Sequence, residues 1–197
     1  MVLAELVAGP VMSIISQIGY VGVFLLMVFE SALLPVPSEI IMPFSGFLVA
    51  TGRIDFWLVV LAGTLGNLVG SLISYFIGKS VGRNLILKYG KYVFIHESHL
   101  DMADRWFEKF GDRIILLSRN LPAVRTYISL PAGITRMNLL KFSLYTAIGS
   151  LPWNTFLTYI GVILGENWQT ILQYTSMIDI IVVVLAIVMI VMWLKKK

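Results

Sequence analysis

The fold is decided by an apolar stretch that proline and charge interrupt, and it reads Phe29-Glu30-Ser31-Ala32-Leu33-Leu34-Pro35-Val36-Pro37-Ser38-Glu39-Ile40-Ile41-Met42-Pro43-Phe44-Ser45-Gly46. A second stretch reads Ser118-Arg119-Asn120-Leu121-Pro122-Ala123-Val124-Arg125-Thr126-Tyr127-Ile128-Ser129-Leu130-Pro131-Ala132-Gly133. Both contain Leu-Pro, then a charged residue, then a proline followed shortly by a small residue and glycine. The first copy holds glutamates and the second holds arginines. Paired, interrupted hydrophobic segments are typical of transporters whose binding site lies where the two segments meet.

The composition is that of an integral membrane protein. Of the 197 residues, 58% are hydrophobic and 13% are charged, whereas average usage is about 25% charged residues. The mean hydropathy is +0.87, and no low-complexity linker divides the chain, so we expect a single membrane domain over residues 1–197. The sequence holds no cysteine, which excludes disulfides and thiolate chemistry. The predicted location is a bacterial inner membrane.

Four membrane-spanning helices are predicted from apolar runs at residues 10–34, 56–77, 139–164 and 176–194. Each run is close to or above the roughly 20 residues that a spanning helix needs. The second run contains Gly66-x-x-x-Gly70, a stripe of small residues that lets two helices approach closely. The third is expected to kink near Pro152.

Two further apolar segments, residues 31–50 and 114–134, are predicted to be re-entrant hairpins. Both contain prolines, and a proline inside a helix costs roughly 3 kcal/mol and removes a backbone donor. Irregular backbone at membrane depth is tolerated only where protein buries it or where it lines a wet cavity. We therefore expect each segment to enter the membrane and return on the same side.

The region between the second and third spans is soluble in character. Residues 98–110 place five apolar residues at helical spacing, opposite charged ones, which predicts a cytoplasmic amphipathic helix with Leu100, Ala103, Trp106, Phe107 and Phe110 on one face. Seven of the 15 basic residues lie within 79–113, and three more form the tail 195–197. By the positive-inside rule both termini are expected in the cytoplasm. The two hairpins then open to opposite sides, as in an inverted repeat.

The strongest candidate site residues are Arg119 and Arg125. An arginine at the bilayer centre costs between about 2.5 and more than 10 kcal/mol, so a partner is expected for its charge. The planar guanidinium fork suits the two oxygens of a phosphate or carboxylate. Both arginines are therefore candidates to bind the phosphate of a substrate. The alternative is that they extend to the cytoplasmic interface or form static ion pairs with the glutamates.

Glu30 and Glu39 have two functional interpretations. Burial disfavours the charged form of a carboxylate, so both are candidate proton carriers. They could instead be counter-ions that hold the arginines when no substrate is bound, and a static salt bridge is the structural alternative. Glu39 is the favoured proton carrier because it lies inside the hairpin, whereas Glu30 could cap the end of the first span.

Secondary candidates lie close to these charges in the sequence or follow them. Ser38 sits between Pro37 and Glu39. Arg136 is interpreted as an interface anchor, with a second phosphate contact as the alternative. Asn67 is expected to make a helix-packing hydrogen bond. Trp153 and Asn154 are interpreted as markers of the kink in the third span.

Enzyme classes that depend on histidine or on a nucleophile elbow find no support in the sequence. The soluble loop has no close set of His, Asp and Glu for a metal, and the chain has no Gly-x-Ser-x-Gly motif. The two histidines, His96 and His99, lie in that same loop. We predict no enzymatic activity, no cofactor, no metal and no nucleic-acid partner.

Several spaced motifs resemble the DedA family of membrane proteins, whose domain is also called the VTT or SNARE-associated domain. The matching pieces are Phe29-Glu30 leading to Pro35-x-Pro37-Ser38-Glu39, Pro43-x-x-Gly46, Gly66-Asn67-x-x-Gly70, Tyr75-x-Ile77-Gly78, Arg119-x-x-Pro122-x-x-Arg125, Pro131-Ala132-Gly133 and Gly149 through Trp153. The resemblance covers roughly residues 20–165.

The resemblance implies re-entrant hairpins and lipid transport. Bacterial members are implicated in returning undecaprenyl phosphate from the outer to the inner leaflet, and others in flipping phosphatidylethanolamine. The acids and the paired arginines that are regarded as essential in this family map onto Glu30, Glu39, Arg119 and Arg125. Asn67 departs from the family, because many members carry aspartate there. Any proton coupling in this chain would then depend on the glutamates.

The expected function is therefore transport of undecaprenyl phosphate from the outer to the inner leaflet, and coupling to protons is left open. Three alternatives stay open: a phosphatidylethanolamine flippase or scramblase, a membrane scaffold or assembly factor that transports nothing, and a proton-driven exporter of drugs or osmolytes. The expected partners are a lipid phosphate, the bilayer and protons, and homo-oligomerisation is left open.

Overall fold

The computed structural model describes residues 2–32, 37–89, 105–107, 109–120, 125 and 127–165, and this part of the chain is helical with short connecting turns. The helices are α1 Val2–Ser31, α2 Ser38–Ala50, α3 Phe56–Tyr89, α4 Ile114–Ser118, α5 Ser129–Ile134 and α6 Leu139–Ile163. A 3₁₀ turn over Gly111–Arg113 leads directly into α4. The predicted all-α class is confirmed for these residues.

Within the described residues two helices are long and apolar enough to cross a membrane, over Ala8–Ser31 and Phe56–Ser80. They match the predicted spans 10–34 and 56–77. The third predicted span coincides with α6, whose 25 residues measure about 37 Å at 1.5 Å per residue; that α6 crosses the bilayer stays a prediction. The fourth, residues 176–194, lies outside the described residues. α1 is not one straight helix, because Gly19 interrupts it with φ 54° and ψ −127°.

The exposed surface of α3 fits contact with lipid. Large apolar side chains recur every four residues along one face of α3 and are exposed, namely Trp57, Leu61, Leu65, Val69 and Ile73. Soluble proteins rarely expose a continuous apolar patch of this kind unless it meets a partner or a membrane. The stripe therefore supports a membrane location for this helix.

The first proline-rich segment is more regular than its sequence suggests. α2 begins at Ser38 and continues through Pro43 to Ala50, so the break expected within residues 31–50 lies ahead of the helix, where residues 33–36 are outside the described part. Its 13 residues span about 20 Å. That is less than the hydrocarbon core of roughly 30 Å.

The second proline-rich segment is divided between α4 and α5. Pro131 is the third residue of α5, where its missing N–H matters little because the first four N–H groups of a helix have no intrahelical partner. The turn at Arg119 and Asn120 follows α4. Residues 121–124 and 126 lie outside the described part.

Close helix crossings depend on glycine, as predicted for Gly66 and Gly70. A Cβ atom at Gly66 would lie 2.6 Å from the carbonyl oxygen of Phe24, and one at Gly70 would meet the carbonyl of Val28. The two glycines therefore seat α3 directly on the backbone of α1, which confirms the predicted close approach.

The two short helices cross the long helices in a reciprocal pattern. α2 packs on α6, where Gly46 meets Gly161, and α5 packs on α3, where Gly133 meets the backbone beside Gly78. Gly66 and Gly78 lie twelve residues apart on α3, and Gly149 and Gly161 lie twelve residues apart on α6. Helices α1–α3 form a first half of the chain and α4–α6 a second half. The first glycine of each pair faces the first helix of its own half, α1 or α4. The second glycine faces the short helix of the other half, α5 or α2.

Only part of the predicted amphipathic helix 98–110 is described. Residues 105–107 and 109–110 are helical. Trp106 and Phe107 pack against a buried cluster that includes Tyr75, as expected for the apolar face. Phe110, placed on the same face by its spacing, is exposed. Because 98–104 and 108 are outside the described residues, the helix itself stays a prediction.

Candidate functional site

The two interrupted segments meet at Arg125. Its Nη2 lies 2.8 Å from Oε1 of Glu30 and 3.1 Å from Oε1 of Glu39, and it also donates a hydrogen bond to Ser38 Oγ. Glu30 comes from the end of α1, Ser38 and Glu39 open α2, and Arg125 belongs to the second segment. Three of the predicted site residues thus contact the guanidinium of a fourth, Arg125.

The two carboxylates around Arg125 differ in their access to solvent. The side chains of Arg125 and Glu30 are 8% and 6% exposed, whereas that of Glu39 is 41% exposed. The sequence left open that Glu30 only caps the end of the first span. In the structure its side chain is instead the more buried of the two carboxylates that pair with Arg125. Glu39, favoured as proton carrier because it was expected to lie inside the hairpin, is the more exposed of the two acids, and its role as a proton carrier stays a prediction.

A chain of polar groups extends from Glu30 across three helices. Its Oε2 accepts hydrogen bonds from Ser31 Oγ at 3.0 Å and from Asn67 Nδ2 at 3.1 Å. Asn154 Nδ2 in turn donates to Asn67 Oδ1 at 2.9 Å and to Thr64 Oγ1 at 3.2 Å. Asn67 does hold helices together, as predicted, but it does so as part of the ion-pair network.

Arg119 is buried among uncharged oxygens. Its Nη1 donates to Ser71 Oγ at 2.8 Å and to the backbone oxygen of Arg125 at 3.1 Å. Its Nη2 donates at 3.1 Å to both Ser129 Oγ and Thr146 Oγ1. Among the described residues no carboxylate lies within ion-pair distance of Arg119. The four terminal N–H groups are thus satisfied by neutral acceptors, while the charge is not neutralised by a direct contact.

The sequence did not predict that Trp153 lies beside Arg125. The indole ring lies near the guanidinium of Arg125, with 5.7 Å between the ring centre and Cζ, a geometry that attracts a cation to the aromatic face. α6 runs through Pro152 without interruption, and the kink expected there, with Trp153 as its marker, stays a prediction. No signal in the sequence separates this tryptophan from an aromatic residue that only packs.

Four buried polar atoms near the cluster have no hydrogen-bond partner among the described residues, and they are Arg119 Nε, Arg125 Nε, Trp153 Nε1 and Asn154 Oδ1. Leaving a buried donor or acceptor unpaired costs about 1–3 kcal/mol. Three of the four are donors, so the cluster has an excess of unused N–H groups.

Arg136 is not brought to the cluster. It is exposed and lies two residues beyond the end of α5, where its φ of 53° places it in the left-handed region that favours glycine. Hydrogen bonds from Arg136 N to Gly133 O and from Met137 N to Ala132 O close the helix end, a Schellman cap. In the described part of the chain no group of three or more His, Cys, Asp or Glu could hold a metal.

Comparison with known proteins identifies the family. The VTT domain model matches residues 36–163. The chain is 33% identical to undecaprenyl phosphate transporter A of Bacillus subtilis, over 96% of this chain and 94% of the relative. It is 32% identical to an alkaline phosphatase-like protein of Lactococcus lactis, over 95% and 92%, and 29% identical to protein DedA of Escherichia coli, over 74% and 68%. No solved structure matches the chain. With the domain model covering well over half of its residues, this chain belongs to the DedA family of VTT-domain membrane proteins.

Proposed function

We propose that this protein carries a lipid phosphate across the bacterial cell membrane, and that the lipid is undecaprenyl phosphate moving from the outer to the inner leaflet. The observation that carries the proposal is the buried guanidinium of Arg125, held by two carboxylates where the two interrupted segments meet. A relative that covers nearly the whole chain is named for transport of this lipid. The two facts are connected because the guanidinium of an arginine is well suited to bind the phosphate group of such a lipid.

The first step is an exchange of anions on Arg125. In the empty site Glu30 and Glu39 neutralise the guanidinium through Nη2. When both acids take up protons they no longer compensate its charge, and the phosphate of the lipid replaces them. Phosphate is well matched to this fork, because its oxygens can accept two parallel N–H bonds. The lipid tail stays in the hydrocarbon while the charged group occupies the protein interior.

Arg119 supplies the second positive charge of the proposed site. Its Nη1 contacts the backbone oxygen of Arg125, and both arginines are buried. Because Arg119 is held by four uncharged oxygens, it has no carboxylate to lose when phosphate arrives. Its charge therefore attracts the phosphate in every step, whereas that of Arg125 is available only after the acids are protonated.

The reciprocal crossings of the short helices support an inverted repeat of re-entrant hairpins. α2 and α5 each pack through glycine on the long helix of the other half. Since α2 is too short to span the bilayer, we place it and α5 as the inner arms of two hairpins that open to opposite sides. Alternate opening of such hairpins around a fixed site would expose the phosphate first to one leaflet and then to the other. Cytoplasmic termini belong to the same proposal.

The test is lipid movement in proteoliposomes. Fluorescently labelled undecaprenyl phosphate and labelled phosphatidylethanolamine are followed separately, with and without a pH gradient, by their accessibility to a quencher outside the vesicle. We expect wild type to move the polyprenyl phosphate, Arg125→Ala to abolish that movement, and Trp57→Phe on the exposed face of α3 to match wild type.

Four other outcomes would redirect the assignment. Equal movement of both lipids would favour a scramblase, and undiminished movement by both Arg125→Ala and Arg119→Ala would refute the phosphate site. No movement of either lipid by folded wild-type protein would favour the scaffold. Release of inorganic phosphate during the assay would instead indicate a hydrolase, as the name of the Lactococcus lactis relative suggests for that protein.

A further inference from the structure

We propose that Trp153 is a binding residue of the phosphate site, and that its indole N–H and the Nε–H of Arg125 together hold oxygens of the lipid phosphate. This inference rests on the proposed function, since it specifies how the same site takes its ligand.

The two N–H groups are unusual because both are buried and unpaired. More than nine in ten buried polar groups in proteins have a hydrogen-bond partner, yet Arg125 Nε and Trp153 Nε1 have none within the described residues. An indole nitrogen and a guanidinium nitrogen are donors only. The two groups therefore cannot satisfy each other, and what satisfies both must be an acceptor.

The geometry places these donors in the same part of the site. The Arg125 guanidinium carbon lies 5.7 Å from the centre of the Trp153 ring, so the two side chains are neighbours and each contributes one unused donor. Glu30, Glu39 and Ser38 all contact Nη2 of Arg125, while its Nε has no acceptor among the described residues. Trp153 as a whole is half-buried, whereas its Nε1 atom is buried.

A phosphate monoester fits such a site better than a single neutral acceptor does. Its three terminal oxygens can accept from both donors at once, and each N–H then bonds to a charged oxygen, which is worth more than a neutral hydrogen bond. Two buried donors that have no partner among the described residues would gain one in the loaded state. The ligand is thus favoured twice, by the charge of Arg125 and by the relief of two orphaned N–H groups.

The first experiment measures binding of dodecyl phosphate, a short-chain phosphate monoester, to the purified full chain in detergent by titration calorimetry. Trp153→Phe keeps an aromatic ring beside Arg125 but removes the N–H. We expect about tenfold weaker binding, the order expected for one hydrogen bond to a charged group. Trp57→Phe makes the same change at a site that is 66% exposed on α3 and should bind as wild type, while Arg125→Ala should show no binding.

The outcomes separate the two proposals. Wild-type affinity in Trp153→Phe, together with lost binding in Arg125→Ala, would overturn the role of Trp153 and leave the phosphate site intact. Wild-type affinity in both would overturn the phosphate site as well.

A second measurement needs no folded variant. The wild-type chain labelled with ¹⁵N-tryptophan has five indole N–H signals, one for each tryptophan. We expect one of them to move downfield when dodecyl phosphate is added, because its proton enters a hydrogen bond to a charged oxygen. If none of the five moves at saturating dodecyl phosphate, the inference is refuted.

Discussion

The unequal burial of the two acids beside Arg125 predicts unequal contributions to stability. Glu30 and Arg125 are both nearly inaccessible and their charged atoms lie 2.8 Å apart, whereas Glu39 is 41% exposed at 3.1 Å from the same nitrogen. Breaking a buried ion pair costs about 3–5 kcal/mol because the remaining charge stays desolvated. An exposed pair is worth about 0–1 kcal/mol. We therefore expect Glu30→Gln to cost about 3 kcal/mol of unfolding free energy, and Glu39→Gln to cost less than about 1 kcal/mol.

Double-mutant cycles isolate each pair from other effects of the substitutions. For each cycle the acid is changed to glutamine alone, Arg125 is changed to methionine alone, and the two changes are combined in one variant. Unfolding is followed by loss of helical circular dichroism as the fraction of SDS in mixed micelles increases. The expected coupling energy is about 2 kcal/mol for Glu30 with Arg125 and well under about 1 kcal/mol for Glu39 with Arg125.

A third ion pair serves as the internal reference. Lys141 and Asp112 lie 3.4 Å apart with side chains that are 60% and 41% exposed, so their coupling should be close to zero. The reasoning would be refuted if Glu39 coupled to Arg125 as strongly as Glu30 does. It would also be refuted if the Glu30 pair gave no more coupling than the Lys141 reference.

Three further predictions follow from the backbone and its packing. Gly161→Ala should cost about 1–3 kcal/mol in the same unfolding assay, because its Cβ would meet the backbone of α2. Gly9→Ala is the control, because a Cβ there would have nothing within 4 Å, and it should cost nothing. Equal effects of the two substitutions would contradict the crossing of α2 and α6. Arg136→Gly should stabilise the protein relative to Arg136→Ala by about 1 kcal/mol, because only glycine relieves the positive φ. Both variants lose the same charge, so the difference between their thermal unfolding midpoints reports the backbone effect alone. Tyr75→Phe should lower the unfolding free energy by about 1–2 kcal/mol, because it removes the 2.6 Å hydrogen bond to the carbonyl of Met137 and leaves that oxygen buried without its partner; an unchanged midpoint would contradict this.

Local patterns in the sequence were sufficient for the long helices and their closest contact. The spans at 10–34 and 56–77 were predictable because hydropathy over about 20 residues reports directly on a membrane helix. The contact of Gly66 and Gly70 with α1 was predictable because small residues four apart mark one face of a helix. Both features depend on composition within a single segment.

The proline-rich segments were harder to predict, because the effect of a proline depends on where the helix begins. Pro131 falls in the first turn of α5, where no intrahelical donor is lost, and Pro43 lies inside α2 without ending it. The sequence indicates that the helix is interrupted but does not say on which side of the proline the interruption lies.

The contacts around the charges were only partly predictable. A charge in an apolar segment demands a partner, so the meeting of Arg125 with the glutamates follows from the cost of burying it. Which acid is buried depends on how α1 ends beside α3, where Asn67 holds the second oxygen of Glu30. The position of Trp153 beside Arg125 depends on the rotation of α6, which no local pattern specifies.

The balance of charge explains why the proposed site can reach both sides of a membrane. Two arginines and two glutamates make the described cluster formally neutral in the empty state, so no net charge needs to be desolvated when the hairpins move. A phosphate monoester carries close to two negative charges at neutral pH. If both glutamates are protonated when it binds, the two arginines and the phosphate again sum to about zero. Binding phosphate without the protons would leave two excess negative charges in the interior, at a cost of several kcal/mol per ion. In the proposed exchange, proton uptake by both glutamates would keep the loaded site as neutral as the empty one, and coupling to protons is part of that proposal.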